Sequence, residues 1–583
     1  MTDFPLKAVL IANRGEIAVR IARTARDLGI RTIAVYSDAD RGALHTRVAD
    51  EAYHLPGTTG AETYMNIPAL LAVAARAGAD CVHPGYGFLA ENSGFAREVI
   101  EAGLTWIGPR PETIDLLGDK VAARRVALDA GAPLAPGTQE PIDSWQEAKD
   151  FADEFGLPIA IKAAFGGGGR GIKVVYEDRD IETAFVSAGR EAVEAFGRGE
   201  CYVEKFLTRP RHVEAQVIAD TRGNVVVLGT RDCSVQRRFQ KLIEEAPAPF
   251  LSEEQNRAII EGARQICATA GYVGAGTVEY IVSQDGTVSF LEVNTRVQVE
   301  HPVTEAVTGV DVVAEQFRAA AGLELSLTQD PVSHGHAFEF RINAEDAANG
   351  FVPSPGDVTH FEPPTGPGLR IDTGVRSGGQ IPGHYDSLLA KLIVHGRDRD
   401  SALRRAQQAL QEFDIRGVRT VLPFHLDLVQ HPAFTGGELG VYTSWVDNEY
   451  VPGHGAGFGD GFEEVEASYE QRTTLTIEID GRLHTLGLPS ALLTSRPVAE
   501  SATDAPTAPA PAADGTAVTA PFAGSLVEWA VADGDAVEQG QAIGTVEAMK
   551  MEAPLKSPAT GTITLSAEAG TQFTKGDVLG TIA

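Results

Sequence analysis

Hydrophobic positions near the N-terminus switch between the spacing of a buried strand and that of an amphipathic helix. Residues Ala8–Ala12 form a continuous apolar run, and Ile33–Tyr36 form a second one. Between them, apolar residues recur at the three- and four-residue spacing of one helix face: Ile17, Ile21, Ala25 and Leu28. The order strand, helix, strand predicts the start of a doubly wound α/β unit. The turn Asn13–Glu16 contains a single glycine, so the glycine-rich fingerprint of dinucleotide binding is absent.

Near the C-terminus, short apolar segments are separated by glycines that recur at an offset of 36 or 37 residues. The first set is Gly524, Gly534, Gly540 and Gly544, and the second is Gly561, Gly570, Gly576 and Gly580. This repeat predicts two similar four-strand halves joined by a hairpin.

Lys550 lies in the predicted connecting hairpin, between Met549 and Met551, in a chain with only four methionines. A lysine on a β-turn is ordinarily a solvated surface group. A lysine at the midpoint of a duplicated β-domain is also where a prosthetic group would be attached and carried. Both interpretations remain open on these residues alone.

A glycine run separates two predicted strands in the first half of the chain. Pro158–Ala163 is followed by Gly166–Gly169 and then by Ile172–Tyr176. Backbone N–H groups in such a loop can approach phosphate oxygens closely because no Cβ obstructs them, and Lys162 could neutralise phosphate charge. The alternative is a flexible surface loop. A P-loop is excluded, because no Gly-Lys-Ser/Thr follows and the next element is a strand.

Two predicted strands, Thr277–Val282 and Val288–Glu292, flank a predicted two-residue turn at Asp285-Gly286. In that register Glu279 lies directly opposite Glu292. Opposed carboxylates are destabilising unless a cation lies between them, and Mg2+ takes oxygen ligands of this kind. The alternative is a solvated acidic pair on an exposed face.

The segment after this hairpin alternates strictly between polar and apolar residues. If it is extended, its polar residues share one face: Glu292, Asn294, Arg296, Gln298 and Glu300. That face would carry metal-type oxygens, a guanidinium suited to an oxyanion and a carboxylate able to act as a base. The basic segment Arg231–Lys241 adds positive charge that suits an anion site or, alternatively, a solvated turn.

Composition limits the classes of partner. The chain has 583 residues and a formal charge of −31, with 43% hydrophobic and 22% charged residues. This balance predicts a soluble multidomain protein that binds neither nucleic acid nor an anionic membrane. Four scattered cysteines and no long apolar run favour reduced thiols, no membrane span and a cytoplasmic location.

Together, these motifs resemble the biotin carboxylase component of biotin-dependent carboxylases, a branch of the ATP-grasp family. The resembling segments are Asn13–Ala18, His83–Phe88, Gly118–Lys120, the glycine run, Arg211–Glu214, Asn294–Thr304 and the Met-Lys-Met motif. The domain order resembles that of the alpha subunits of bacterial acetyl/propionyl-CoA carboxylases, which join the carboxylase to a biotin carrier domain.

The resemblance implies a multidomain α/β and α+β fold. An ATP-grasp biotin carboxylase of three subdomains would precede a small β region and a C-terminal all-β biotinyl (lipoyl-like) barrel-sandwich domain. The implied boundaries are 1–113 for a Rossmann-like subdomain, 114–331 for the ATP-grasp domain with its glycine-rich lid, 332–446 for the C-terminal subdomain, 447–490 for a partner-docking region, 491–516 for an Ala/Pro-rich linker and 517–583 for the carrier domain.

The resemblance also implies residue roles. ATP would be bound by Lys120, Lys162, Gly167, Gly168, Glu204, Lys205, Leu207, His212 and Gln236. Mg2+, or alternatively Mn2+, would be held by Glu279, Glu292 and Asn294. Bicarbonate would be bound by Lys241, Arg296, Gln298 and Val299, with Glu300 as the base. Arg341 would stabilise the biotin enolate, and Lys550 would carry biotin. Some family members have histidine where this chain has Phe239, so we expect altered nucleotide affinity there.

The implied activity is ATP- and bicarbonate-dependent carboxylation of biotin on Lys550, the first half-reaction of an acyl-CoA carboxylase that serves fatty acid biosynthesis. A separate carboxyltransferase beta subunit would transfer the carboxyl group, and a biotin protein ligase would attach biotin. The carboxylase core would be a homo-oligomer within a larger hetero-oligomer. The alternatives are an ATP-grasp ligase for another carboxylate, against which Lys550 argues, and a passive carrier, against which the intact polar row argues.

Overall fold

A computed structural model describes most of the chain. The described residues are 4–138, 140–163, 172–196, 200–436, 440–452, 472–479, 482–489, 517–522, 524–549, 551–574 and 576–583. The predicted positions Gly167, Gly168 and Lys550, and the whole predicted linker 491–516, lie outside them. Two compact units are formed, one of Met1–Glu345 with Ser354–Val451 and the other of Asp346–Pro353 with Pro452–Ala583.

The N-terminal part is a parallel five-stranded sheet with the order β3-β2-β1-β4-β5. Its elements are β1 (Ala8–Ile11), α1 (Gly15–Asp27), β2 (Arg31–Tyr36), α2 (His45–Val48), β3 (Glu51–His54), α3 (Ile67–Ala77), β4 (Cys81–His83), α4 (Ser93–Glu101) and β5 (Thr105–Trp106). The continuous apolar run of β1 is explained by burial on both faces, as is usual for a parallel sheet. Val9 and Ile11 enter one core, whereas Ala8 and Leu10 enter another. The predicted α/β start is therefore confirmed.

A small antiparallel sheet of order β7-β6-β8 follows in the chain. The elements of this part are α5 (Pro111–Gly118), α6 (Lys120–Asp129), α7 (Trp145–Phe155), β6 (Ile159–Ala163), β7 (Ile172–Val175), α8 (Ile181–Phe196) and β8 (Cys201–Lys205). β6 and β7 pair on either side of the predicted glycine run, which itself lies outside the described residues.

An eight-stranded sheet of order β13-β12-β9-β10-β11-β14-β21-β19 supports the candidate site. Its first five strands and their helices are β9 (Arg211–Ala219), β10 (Val225–Arg237), β11 (Gln240–Ala246), α9 (Glu253–Thr269), β12 (Gly274–Val282), β13 (Val288–Asn294), α10 (His301–Thr308) and α11 (Val312–Ala320). The remaining elements of this part are β14 (His336–Asn343), β15 (Glu345–Asp346), β16 (Val352–Pro353), β17 (Gly356–Val358), β18 (His360–Glu362), β19 (Leu369–Thr373), β20 (Gly379–Ile381), β21 (Leu388–Gly396), α12 (Arg399–Glu412), β22 (Asp414–Arg416), α13 (Leu422–Leu428), α14 (Pro432–Thr435) and α15 (Trp445–Asn448).

In the predicted docking region, β23 (Arg472–Ile479) and β24 (Arg482–Pro489) pair antiparallel. The two predicted strands are therefore confirmed, although the turn at Asp480-Gly481 lies outside the described residues.

The described part of the C-terminal domain contains eight strands in two sheets. They are β25 (Ala517–Thr519), β26 (Gly524–Trp529), β27 (Ala536–Val537), β28 (Ala542–Ala548), β29 (Met551–Lys556), β30 (Gly561–Leu565), β31 (Gln572–Phe573) and β32 (Val578–Ile582). The sheet orders are β25-β32-β30-β27 and β29-β28-β26-β31. Each strand of the first half corresponds to the strand four places later, so that β25 matches β29 and β28 matches β32. Exchanging the matched strands converts one sheet order into the other. Each half therefore supplies two strands to each sheet, and the predicted duplication is confirmed.

Two further observations bear on the sequence predictions. All four cysteines are buried, which suits reduced thiols. Among the described residues, the helices are too short or too polar to cross a bilayer.

Candidate active site

A partly buried ammonium lies near the centre of the large sheet, surrounded by three carboxylates. Lys241 Nζ is 2.7 Å from Glu300 Oε1 and 3.1 Å from Glu279 Oε1, and it also pairs with Glu214. Burial alone would lower the pKa of Lys241, but the three carboxylates hold it well above the usual value. The lysine therefore carries a fixed positive charge.

Glu279 accepts hydrogen bonds from several side chains on neighbouring elements. The amide groups of Asn294 and Gln298 each donate to its Oε1 at 2.8 Å, and His212 Nε2 lies 2.9 Å from its Oε2. Burial would raise the pKa of Glu279, but Lys241 and His212 outweigh it and hold the pKa well below its usual range. Glu279 is therefore an ionised buried carboxylate.

His212 carries the complementary shift. Burial alone would lower its pKa, but the neighbouring Glu279 and Glu214 carboxylates raise it to about 9. At neutral pH the imidazole is therefore a cation on β9 that lies against Glu279, an expected metal ligand.

The predicted pairing of Glu279 with Glu292 is confirmed, but the predicted turn is wrong. Near the loop Val282 pairs with Val288, so the loop is longer than two residues. A β-turn closes it, in which the N–H of Gly286 donates to the Ser283 carbonyl at 2.9 Å and Gly286 has φ +88°. A register shift between Glu279 and Tyr280 then restores the expected pairing. The longer loop moves the strand pairing by one residue, and the β-bulge moves it back by one, so Glu279 is again opposite Glu292.

The predicted extended row is also wrong beyond Asn294. β13 ends at that residue, and Glu300 is the N-cap of α10. The row converges all the same, because the chain turns back over the sheet. Gln298 reaches Glu279, and Glu300 reaches Lys241. A strand-period argument could not anticipate this turn.

Arg341 links the candidate base to a second buried acid. Its Nη2 donates to Glu300 Oε2 at 2.9 Å, and its Nε donates to Glu244 Oε1 at 2.6 Å. Burial would raise the pKa of Glu300, but Lys241 and Arg341 outweigh it and lower the pKa. Glu300 is therefore ionised and able to accept a proton.

Arg296, the second expected bicarbonate cation, is fixed by the N-terminal part of the chain. Its Nε donates to Glu91 Oε2 at 2.8 Å, and its Nη2 donates to Asn294 Oδ1 at 3.0 Å. Glu91 also accepts the backbone N–H of Thr295. Glu91 therefore orients the Arg296 guanidinium, although the two residues are 205 positions apart in the sequence.

The expected nucleotide residues contact several parts of the chain. Lys162 pairs with Glu204, and Lys120 Nζ is 3.4 Å from Glu292 Oε2. Lys205 Nζ donates to the carbonyl groups of residues 155–157 at the end of α7, so a nucleotide contact there would use its backbone. Gln236 donates to the Cys233 carbonyl at 2.7 Å, and Leu207 is half-buried.

The position that differs from some family members forms an unusual turn. Arg237 pairs with Gln240, so Arg238 and Phe239 form a two-residue hairpin turn with φ +48° and +64°. Bulky residues rarely adopt positive φ. The Phe239 side chain is 90% exposed, so its ring is free to meet a ligand.

The attachment hairpin predicted around Lys550 is present. Ala548 pairs with Met551, which leaves Met549 and Lys550 as the connecting residues. Met549 is buried and has φ +52°. Lys550 itself lies outside the described residues, so its attachment role remains a prediction.

Several charged residues at the site were given no individual role by the sequence predictions: Glu91, Glu214, Arg231 and Glu244. Arg231 is fully buried and donates to Glu214, Gln216, Thr304 and Gln298. The alternation of polar and apolar residues along β9 was the signal that could have indicated Glu214. Glu91 had no such signal, because it lies in a loop far away in the sequence.

The side chains present fit a divalent cation beside a phosphate group. Glu279 and Glu292 are opposite each other on adjacent strands, and Asn294 lies at the end of the same ladder. Two carboxylates and an amide oxygen are ligands that Mg2+ takes, commonly with substrate phosphates completing its shell. Lys120 and Lys162 supply cations for those phosphates.

Four family models match successive parts of the chain. They are the N-terminal domain of biotin carboxylase over residues 5–114, the ATP-binding domain of carbamoyl-phosphate synthase L chain over 119–328, the C-terminal domain of biotin carboxylase over 339–448, and the biotin-requiring enzyme model over 516–582.

Similar proteins cover either nearly all of the chain or about three quarters of it. A biotin-dependent acyl-coenzyme A carboxylase alpha3 subunit from Mycobacterium leprae is 53% identical, covering 98% of each chain. Biotin carboxylase 1 of Bacillus subtilis is 47% identical over 74% of this chain and 97% of its own. A biotin carboxylase structure from Campylobacter jejuni, in complex with β,γ-ATP, is 42% identical with a TM-score of 0.67, covering 76% of this chain and 98% of that one.

Proposed function

Since the chain belongs to the biotin-dependent acyl-CoA carboxylase alpha subunits, we propose that the cluster around Lys241 carboxylates biotin carried on Lys550. The chain is an ATP-grasp biotin carboxylase joined to a biotin carrier domain. Its reaction is the ATP- and bicarbonate-dependent half-reaction of an acyl-CoA carboxylase.

The observation that supports the residue assignment is the position of Glu300. Its carboxylate is buried, ionised and shared between the cations of Lys241 and Arg341. A base in such a place can take the proton of bicarbonate while both cations remain to hold the oxyanion. Arg296 is oriented by Glu91 to bind a bicarbonate oxygen from another side.

The following roles are proposed for the side chains. Lys241, Arg296 and Gln298 hold bicarbonate, and Glu300 accepts its proton as the bicarbonate oxygen attacks the γ-phosphorus of ATP and ADP leaves. Lys120, Lys162 and the protonated His212 neutralise phosphate charge. Glu279, Glu292 and Asn294 would hold Mg2+, which shields the phosphates when it is bound. Arg341 places a fixed cation where negative charge develops on the acceptor.

The carrier hairpin completes the proposal. Biotin on Lys550 would supply the ureido nitrogen that accepts the carboxyl group. In support of this proposal, Ala548 pairs with Met551 across the hairpin that joins the two duplicated halves. Phe239 would alter the affinity for the nucleotide, because a phenyl ring cannot donate a hydrogen bond.

The first test is bicarbonate-dependent ATP turnover by the purified chain. We expect Glu300→Gln to reduce it at least about a hundredfold, because the amide cannot accept the proton. Glu362→Gln, an exposed change in the same unit, is the matched control and should leave turnover unchanged. Retained turnover in a folded Glu300→Gln protein would contradict the assigned role of Glu300.

An alpha subunit of this kind has a carboxyltransferase partner. We propose that the partner is a separate beta subunit, that a biotin protein ligase modifies Lys550, and that the carboxylase core self-associates in the cytoplasm. Acetyl-CoA and propionyl-CoA are the proposed acceptors. Co-purification with the beta subunit, followed by an acyl-CoA panel, tests this. Acyl-CoA carboxylation by the alpha chain alone would contradict it.

A further inference from the structure

One fully buried cation lies next to the turn that ends at Glu300, and the mechanism above gives it no role. Lys391 is on β21, and its side chain is 0% exposed. Removing an ammonium group from water is costly unless it is paired and hydrogen-bonded. Its partners therefore indicate what this lysine does.

Lys391 joins three parts of the chain that are distant in sequence. Its Nζ donates to the Val299 carbonyl at 2.8 Å and pairs with Glu16 Oε1 of α1 at 3.0 Å. The Tyr86 hydroxyl also donates to Glu16 Oε1. Val299 immediately precedes the candidate base, so Lys391 acts directly on the turn that presents Glu300.

The sheet register places two cations side by side beneath that turn. Arg341 of β14 pairs with Lys391 of β21, so their side chains share one face of the sheet. Arg341 contacts the Glu300 carboxylate, and Lys391 contacts the carbonyl of the preceding residue. Successive residues of the turn are thus held from below by neighbouring strands.

A bond to the Val299 carbonyl constrains more than one atom. The peptide group is planar and trans, so fixing its oxygen also fixes the direction of the Glu300 N–H. Glu300 is the N-cap of α10, where its backbone is not yet helical. The direction of its side chain therefore depends on this peptide plane and on the start of the helix.

A purely structural role is the competing explanation. Burial would lower the pKa of Lys391, but Glu16, Glu339 and Asp372 raise it, so the lysine stays charged and balances carboxylates. Under that explanation Glu16 is the partner that matters, and the Val299 bond is incidental. The two explanations differ in what happens when both charges of the Lys391–Glu16 pair are removed together.

We propose that Lys391 is a positioning residue for bicarbonate activation, which holds the Val299–Glu300 peptide so that Glu300 and the Val299 backbone face the bound anion. This inference rests on the proposed function. It concerns the orientation of the Val299–Glu300 peptide, and Lys391 itself does not contact ATP, bicarbonate or biotin.

The test compares Lys391→Met, Glu16→Gln and the double variant in the full biotinylated chain. Lys391→Met leaves a buried carboxylate unpaired, so we expect lower thermal stability. The double variant removes both charges and should recover it. In Lys391→Met and in the double variant, the KM for bicarbonate should rise about tenfold or more, as expected for the loss of one charge-assisted hydrogen bond. The KM for ATP should stay within about twofold.

Two controls separate positioning from charge balance. Glu16→Gln keeps the Lys391–Val299 bond and should keep the KM for bicarbonate near that of the unmodified chain. Lys391→Gln combined with Glu16→Gln restores an amide donor and should recover part of the bicarbonate affinity. A merely structural lysine predicts no such rescue.

The inference is overturned if the stable double variant binds bicarbonate as well as the unmodified chain does. It is also overturned if Glu16→Gln raises the KM for bicarbonate as much as Lys391→Met. If the unmodified chain shows no bicarbonate-dependent ATP turnover, the proposed function fails first, and the inference fails with it.

Discussion

Each cation at the centre of the site is shared between acceptors. Lys241 serves three carboxylates, and Arg341 serves Glu244 and Glu300. Buried ion pairs add little net stability, because desolvation offsets most of their attraction. Sharing has a different consequence: an incoming anion can take one of several bonds without leaving a carboxylate wholly unpaired. The cluster is therefore suited to admitting bicarbonate.

Glu339 differs from these carboxylates because its oxygens accept no hydrogen bond from a neighbouring cation in the described part of the chain. It lies opposite Glu244 in the sheet, and neither of its oxygens has a hydrogen-bond partner among the described residues. Burial raises its pKa well above the usual value, and the nearby Glu244 and Glu300 add to this, against Lys391 and Arg341. Glu339 is therefore a buried acid that favours its proton.

We expect Glu339→Gln to stabilise the protein increasingly as pH rises. An acid with a higher pKa in the folded state binds more protons when folded, so its free energy of unfolding falls as pH rises above the usual glutamate range. Glutamine does not titrate. The melting temperature of the variant, relative to the unmodified chain, should rise from pH 5 to pH 8. A pH-independent difference would contradict the assignment.

Among the elements, the β12–β13 hairpin shows how a register can be right at one place and wrong at another. The longer loop and the β-bulge have opposite effects on the pairing, so Glu279 and Glu292 meet as predicted. The carrier domain shows the opposite case, where a glycine repeat predicts structure closely. Gly534 and Gly570 have φ of +89° and +88°, and Gly540 and Gly576 repeat the match.

The duplication predicts matched mutational costs. No atom lies within 4 Å of a Cβ added at Gly534 or Gly570, so only backbone strain opposes alanine. We expect each Gly→Ala change to cost about 1–2 kcal/mol. At Gly544 and Gly580 the added Cβ would lie 2.9 and 2.8 Å from a backbone oxygen, so larger costs are expected there.

Hydrogen exchange of the β25–β32 amides in the full chain measures these costs as local unfolding free energies. We expect the loss of local unfolding free energy to be equal for the two members of each pair. We expect it to be larger for Gly544→Ala and Gly580→Ala than for Gly534→Ala and Gly570→Ala. Unequal costs within a pair would contradict structural equivalence of the two halves.

For the whole molecule, catalysis and carriage are assigned to different compact units. The cluster around Lys241 lies in the first unit, and the attachment hairpin lies in the second. Family relatives of the first unit exist as separate proteins, because Biotin carboxylase 1 matches 74% of this chain over 97% of its own length. Loss of the attachment lysine should therefore separate the two activities.

We expect Lys550→Arg to abolish acyl-CoA carboxylation by the complex with its beta subunit, because arginine cannot be biotinylated. ATP-dependent carboxylation of free biotin should persist at the level of the unmodified chain. Lys556→Arg, at an exposed lysine of the same hairpin, is the matched control and should leave both activities intact. Persistent acyl-CoA carboxylation by Lys550→Arg would show that biotin is attached elsewhere.

The amino-acid sequence by itself determined the features that depend on local periodicity and local motifs. The α/β start, the strands around the glycine run and the Glu279–Glu292 pair follow from spacing within and between neighbouring elements. The duplicated carrier domain follows from glycines that recur at an offset of 36 or 37 residues. The family resemblance added the roles of the site residues. These predictions succeed because backbone geometry repeats with a short period.

Only the tertiary structure decided which charges meet. Glu91 with Arg296, Lys391 with Val299 and Glu339 with Glu244 join residues that are 92 to 205 positions apart or on strands paired out of sequence order. Periodicity says which face a side chain occupies, but not what packs against that face. The bend after Asn294 likewise depends on the sheet beneath it, and it brings the candidate base to the cations that lower its pKa.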